Sequence, residues 1–213
     1  RAGGDAIGAE RALFGVDLWL APGMNLHRNP LCGRNFEYFA EDPLLSGRCA
    51  AAITQGVQRR PGLGVTIKHF ACNNQEDNRM GSNSILTERC LRELYLKGFE
   101  IAVREARPRA IMTSYNLING VHAANCYDLC TKVARCEFGF TGLIMTDWTT
   151  TNIDAACTAA GCILAGNDVV MPGMAMDHAS IRAALADGSL TEARLRWCIT
   201  HLVRVILQSD RYE

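Results

Sequence analysis

Apolar residues along the chain fall into two alternating rhythms. Short continuous runs bounded by Gly, Pro or polar clusters read as buried strands, and stretches with apolar positions three and four apart read as helices. Residues 17–22, Asp-Leu-Trp-Leu-Ala-Pro, form the first run, and a long polar loop follows to Asp42-Pro43. A helix is expected over 44–59, a strand over 64–67, then a loop rich in Asn and Gly to Ser84. The helix over 87–107 carries the strongest pattern: Leu91, Leu94, Tyr95, Phe99, Ala102, Val103 and Ala106 share one face. Thr87 caps its start, Glu88 complements its dipole, and Pro108 stops it. Further strands are expected over 110–114, 143–146 and 168–171, and further helices over 126–137, 152–164, 175–186 and 191–207. Residues 1–10 read as the inside of a helix, so the chain is expected to begin within a structural element.

Each of these strands is followed by a helix, with no hairpin signal between them. Parallel strands need such crossovers, so the pattern is α/β. A doubly wound nucleotide-binding sheet calls for a glycine-rich turn after a strand, and no GxGxxG or GxxxxGK[ST] occurs. The barrel is therefore favoured. A full (β/α)8 TIM barrel takes ~250 residues, so 213 residues predict one such domain over the whole chain, incomplete at its N-terminal side.

Composition narrows the partners. Lys plus Arg and Asp plus Glu each number 22, a balance that argues against nucleic acid or an anionic membrane as partner. No apolar run reaches the ~18 residues of a span, and no signal peptide opens the chain, so a cytoplasmic location is expected. Ten cysteines without a CxxC pair predict small buried thiols in a reducing compartment rather than a zinc site or a disulfide framework.

Polar residues collect just beyond the strand ends: Asn25, His27, Arg28 and Arg34; Lys68-His69 and Asn73-Asn74-Gln75-Glu76; Tyr115-Asn116; Asp147-Trp148. In a barrel these ends share one mouth. Donors of different reach, a carboxylate and an aromatic ring suit a neutral polyol such as a sugar. Asp147 is the sharpest candidate, because an apolar strand and an aromatic neighbour can hold it rigid and partly desolvated, as a nucleophile or base requires. Read alone, Asp147 is more readily the cap of a following helix, and Lys68-His69 a solvated pair. The company of the other polar strand ends tips both toward function. Glu37, Glu41 and Asp42 read as structural hydrogen-bonding groups, His122, His178 and His201 as surface or satisfied core residues, and Trp19 and Trp197 as packing.

On these residues the chain resembles the catalytic barrel domain of glycoside hydrolase family 3, closest to its bacterial β-glucosidases. The likeness is carried by 20–43, by Lys68-His-Phe-Ala-Cys-Asn-Asn-Gln-Glu-Asp-Asn-Arg79, by 88–100, by Met112-Thr-Ser-Tyr-Asn-Leu-Ile-Asn-Gly120, by Met145-Thr-Asp-Trp148 and by 165–173, in family order. The resemblance implies that Asp147 is the nucleophile of a retaining enzyme. It aligns Arg34, Lys68, His69 and Arg79 with donors to the non-reducing-end sugar, Tyr115 with the tyrosine beside the nucleophile, and Trp148 with an aromatic of that subsite. It implies no metal or organic cofactor, and a β-glucoside or oligosaccharide as substrate.

The same resemblance implies what lies elsewhere. The family's acid/base glutamate comes from a second α/β domain, and a further sugar-binding carboxylate from an earlier part of the barrel, neither matched in this chain. Glu76 is the only nearby in-chain substitute for the acid/base, and a disfavoured one. The resemblance thus leaves a retaining hydrolase fragment beside a truncated barrel that at most binds sugar, and β-glucosidase beside β-xylosidase specificity. Ala71-Cys-Asn-Asn74 after Lys-His-Phe disfavours the N-acetylglucosaminidase branch. Two departures from the family pattern stand out: Glu137-Phe-Gly-Phe140 for the usual Glu-Trp-Gly-Phe, and Thr149-Thr-Thr151 where a glycine usually follows Trp148.

Overall fold

The computed structural model describes residues 1–209. Its parallel sheet runs in the order β1 (Leu18–Trp19), β2 (Gly64–Phe70), β4 (Ala110–Thr113) and β7 (Leu143–Met145). Leu18 pairs with Gly64, Thr66 with Ala110, and Ala110 with Leu143. Val169 continues the sheet beyond β7 through a parallel bridge to Met145. Among the described residues nothing closes this sheet on itself, so the architecture is a barrel-like (β/α) sheet left open. No helix among the described residues is long and apolar enough to cross a membrane.

Alternate side chains on each strand serve two different layers. Val65, Ile67, Ile111 and Ile144 face the helices and join Leu96, Phe99, Ala102, Val103, Ala50 and Val57 in the main core. Ala110, Met112, Leu143 and Met145 form the other layer, against Leu18, Leu20, Val169, Met171 and, from α7 (Glu192–Ile206), Leu202 and Val205. α1 (Ala2–Leu13) and α2 (Pro43–Val57) cover the first layer with α4 (Lys97–Ala106). Where α2 crosses α4 the backbones nearly touch: a Cβ on Gly47 would lie 2.9 Å from the Gly98 carbonyl.

The expected helix over 87–107 is broken. After α3 (Glu88–Cys90) the chain widens into a π turn over Leu91–Tyr95, with the Leu96 N–H donating to the Leu91 carbonyl, before α4 begins. The extra residue shifts the phase of the apolar face, so Leu96 is 1% exposed while Leu94 is 43% exposed. Asp128–Glu137 is likewise wound as a π-helix. The helix expected over 152–164 shrinks to α5 (Ala159–Ala165). Asp154 turns the chain by accepting from the N–H groups of Ala156 and Cys157, and Thr158 becomes the cap, accepting from Gly161. Helix α6 (Ala175–Ala186) and α7 lie where the pattern places them.

A hairpin is also present where none was expected. β5 (Leu117–Ile118) pairs antiparallel with β6 (Val121–His122), and β3 (Asn83–Ser84) lies parallel to β5. Its turn is Asn119-Gly120, with φ of 49° and 88°, the two positive values that a type I′ turn requires. Asn-Gly is the sequence signal that such a turn leaves.

The base of β7 is locked by one buried carboxylate. Asp168 accepts from Arg135 Nη2 at 2.6 Å, from the Ile144 N–H at 2.7 Å, and lies 3.0 Å from His201 Nδ1. It thereby ties the π-helix, the sheet and α7 together. Asp168→Ala leaves Arg135 buried without its counter-charge, and breaking such a pair costs about 3–5 kcal/mol. A urea titration of the variant is expected to show that loss as a lower midpoint.

Candidate active site

The strands deliver their C-terminal residues to one place. β2 presents Lys68 and His69 near its end, β4 leads to Tyr115, and β7 leads to Asp147. The loop after β1 joins them through Asn25, whose side-chain NH2 donates to the His69 carbonyl at 2.8 Å while its oxygen accepts the His69 N–H at 2.8 Å. This clamp holds the His69 backbone from both sides.

Asp147 is 6% exposed. It caps no helix: its Oδ1 accepts the adjacent Trp148 N–H at 2.7 Å, and its Oδ2 lies 3.6 Å from His69 Nε2. Burial pushes the carboxyl above its ordinary value, against the Trp148 N–H, Tyr115, Lys68 and Arg34, which all favour the anion. Burial, with Arg34, Lys68 and Arg79 nearby, holds His69 well below 6.5. His69 is therefore neutral, and the contact with Asp147 is not an ion pair. Lys68 is lowered by burial, while Glu37 and Asp147 draw its value back up and Arg34 lowers it.

The remaining candidates line the same space. Arg79 stacks 4.9 Å from the Tyr115 ring centroid and pairs with Glu76 at 2.7 Å. The Tyr115 hydroxyl donates to the Trp148 carbonyl at 2.9 Å, and burial followed by the Asp147 charge raises its value to about 12. Arg34 pairs with Glu37 and lies 5.8 Å from the Tyr38 ring. Trp148 stays 50% exposed, an apolar face open to a ligand. Arg34, Lys68, His69, Arg79, Tyr115, Asp147 and Trp148 are thus brought together, whereas Arg28, Asn74 and Gln75 line a separate groove with Ser84 and Tyr95. A partly desolvated carboxylate, ringed by cationic donors and backed by aromatic faces, can attack an electrophilic carbon and grip neutral hydroxyls.

Tyr38 belongs to the site and was missed by the sequence reading; Asn73, placed there by its position after the strand but given no role, belongs to it too. Tyr38 is buried against His69, its hydroxyl 3.3 Å from Nδ1, and Asn73 reaches Tyr38 and Glu76. Tyr38 sits in a long loop without periodicity, so no pattern marks it. Glu37 and Asp42 are structural as expected, the latter capping α2 at Leu45. His122 and His201 are buried and partnered, by Asp154 and Asp168. All ten cysteines are free; Cys157 and Cys162 flank the Thr158 cap at N′ and N4, the positions of a hydrophobic staple.

The threonine that replaces the usual glycine after Trp148 bears a conformational load. Thr149 holds φ 57° and ψ 21°, left-handed backbone that a β-branched residue rarely adopts. Its N–H donates to the Met171 carbonyl at 2.8 Å and its hydroxyl to the Trp148 carbonyl at 2.6 Å. The chain after Asp147 therefore keeps the glycine-type turn without the glycine.

An open (β/α) barrel-like domain with a buried carboxylate, cationic donors and an aromatic face gathered at its strand ends is the class that this sheet and its mouth define. The family model described as the glycosyl hydrolase family 3 N terminal domain matches residues 1–205, and the chain belongs to that family. It is 48% identical over 197 residues to a beta-glucosidase of Ruminococcus albus, covering 89% of this chain and 21% of the relative. An exo-alpha-(1->6)-L-arabinopyranosidase of Bifidobacterium breve is 44% identical over 192 residues, 90% of this chain and 24% of that one. The structure of beta-glucosidase 3B from Thermotoga neapolitana with alpha-D-glucose superposes with a TM-score of 0.93 at 43% identity, over 99% of this chain and 30% of that chain. The chain thus spans about a fifth to a quarter of these curated relatives.

Stability should carry the signature of the site. Because the Asp147 carboxyl lies above its unfolded value of about 3.9, its ionisation costs native stability once the pH has risen through the folded value. Asp147→Asn keeps the Trp148 contact and is expected to raise the urea midpoint at pH 7, a gain that vanishes below about pH 4. His69 acts oppositely: the unfolded chain takes up a proton that the native state refuses, so stability falls as pH drops through about 6.5. Thr149→Gly relieves the left-handed backbone and is expected to stabilise by roughly 0.5–1 kcal/mol, net of the extra freedom of glycine when unfolded.

Proposed function

We propose that this chain is the nucleophile-bearing barrel part of a retaining glycoside hydrolase that releases terminal non-reducing β-D-glucosyl residues. The observation that carries the reading is the Asp147 carboxylate, buried at the end of β7 with Lys68, His69, Arg34, Arg79 and Tyr115 gathered around it. Asp147 attacks the anomeric carbon as the glycosidic bond breaks and the acid/base protonates the departing oxygen, forming a covalent glycosyl-enzyme; water, giving its proton to the same acid/base, then releases the sugar from Asp147 with net retention. Lys68, His69, Arg34 and Arg79 donate to the sugar hydroxyls, and Trp148 offers its exposed face to the ring. This chemistry calls for no metal or organic cofactor.

Retaining hydrolysis needs a second carboxyl about 5–5.5 Å from the first. Glu37 and Glu76 are committed to Arg34 and Arg79, which disfavours either as a proton donor. The acid/base is therefore assigned to a second α/β domain outside residues 1–213, consistent with relatives several times longer. On this reading the chain alone has little or no turnover. The free thiols support a reducing, cytoplasmic setting.

An activated 2-fluoro-glucoside tests the assignment by trapping the intermediate. A mass adduct on the peptide containing Asp147, lost in Asp147→Ala, is expected in the protein carrying its flanking sequence. An adduct on another residue overturns the nucleophile assignment. In the same protein Asp147→Ala should cut kcat by about 10⁴-fold or more. Faster turnover of xylosides or arabinopyranosides than of glucosides would overturn the sugar preference.

A further inference from the structure

The proton on His69 is directed by a chain of hydrogen bonds that begins on the other side of its ring. We propose that Glu76, Asn73 and Tyr38 are positioning residues that hold His69 as the Nε2–H tautomer, with that hydrogen aimed at Asp147.

The direction starts at a carboxylate. Arg79 Nη1 lies 2.7 Å from Glu76 Oε2, so Glu76 is an ionised, acceptor-only group. Asn73 must therefore turn its NH2 toward Glu76 Oε1, at 3.3 Å. It does so although its own carbonyl oxygen is left buried with no hydrogen-bond partner among the described residues. The opposite orientation would set that oxygen against Glu76.

The same Asn73 nitrogen lies 3.4 Å from the Tyr38 oxygen. Tyr38 accepts there, which leaves its own proton for His69 Nδ1 at 3.3 Å. A neutral imidazole that accepts at Nδ1 carries its hydrogen on Nε2. Nε2 is the atom 3.6 Å from Asp147 Oδ2.

One group pulls the other way. Asn25 Oδ1 lies 3.3 Å from Nδ1 and could accept a hydrogen from it. That oxygen already accepts the His69 N–H at 2.8 Å, so its second lone pair is all that the Nδ1–H form would gain. The Nδ1–H form would leave a bare Nε2 lone pair against the buried Asp147 carboxylate, and the Tyr38 proton without its acceptor. The Tyr38 proton then goes unpaired and a lone pair faces a carboxylate, where the Nε2–H form accepts one unfavourable oxygen contact.

Under the proposed hydrolase reading, on which this consequence rests, Nε2–H is a donor fixed before substrate arrives. It serves Asp147 Oδ2 or a sugar hydroxyl without reorganising. The swapped tautomer would offer an acceptor in the same place and repel both the carboxylate and an oxygen lone pair.

Long-range proton–nitrogen NMR correlation on the ¹⁵N-histidine-labelled chain at pH 7 reads the tautomer directly, with His69 assigned from a His69→Asn variant. The wild type is expected to show a protonated Nε2 and a bare Nδ1. Tyr38→Phe, and independently Glu76→Gln, are expected to convert this to a mixture of tautomers. A wild type with the proton on Nδ1, or with both nitrogens protonated, overturns the proposal. So does a Tyr38→Phe chain that stays wholly Nε2–H; if that variant does not fold, an unchanged tautomer in Glu76→Gln is the overturning result. The readout needs no turnover, so it stands or falls separately from the trapping experiment.

Discussion

Everything at the mouth depends on one constraint, the parallel pairing of β2, β4 and β7. Parallel strands all end on the same edge, and their crossovers return the chain to the opposite edge each time. Lys68 and His69, Tyr115, and Asp147 are far apart in sequence, yet the ladder sets their strand ends side by side. The strands stay in that register because both of their faces are buried, so a slip of one residue would move each apolar set to the wrong layer. The geometry of the site is thus inherited from the packing of Val65, Ile67, Ile111 and Ile144 on one side and Met112 and Met145 on the other.

Two buried aspartates at opposite ends of β7 show how environment assigns role. Asp168 is matched by Arg135, by His201 and by the Ile144 N–H, and its lone pairs are used in holding elements together. Asp147 receives one backbone N–H, has the Tyr115 hydroxyl beside it and faces a neutral imidazole, with Lys68 and Arg34 acting only through space. Burial therefore prevails and raises its proton affinity. The first arrangement stabilises the fold; the second keeps a reactive oxygen uncommitted. Thr149 extends the same trade to the backbone, since the turn that follows Asp147 is kept at the expense of a left-handed threonine.

Much of this was legible in the chain. Apolar runs at 64–67, 110–114 and 143–146 located the strands because a strand buried on both faces has to be apolar throughout. Candidate donors were legible because they crowd just after those runs. The π turn at Leu91–Tyr95 was not, because both phases of the helix place apolar residues on a plausible face; only contact with the sheet selects Leu96 over Leu94. Helix 152–164 failed for a local reason, the competition of Asp154 for the backbone N–H groups of Ala156 and Cys157. The hairpin at Asn119-Gly120 carried its signal in two residues.

Sequence alone determined the kinds of chemical group, their order, and which ends of which strands hold them, since these follow from periodicity and turn residues within short windows. Tertiary structure decided the partners. That His69 is neutral and that Tyr38 addresses its ring are outcomes of burial and of contacts between distant segments. Charge state and hydrogen-bond direction depend on what surrounds a side chain in space, and a linear pattern does not contain that information.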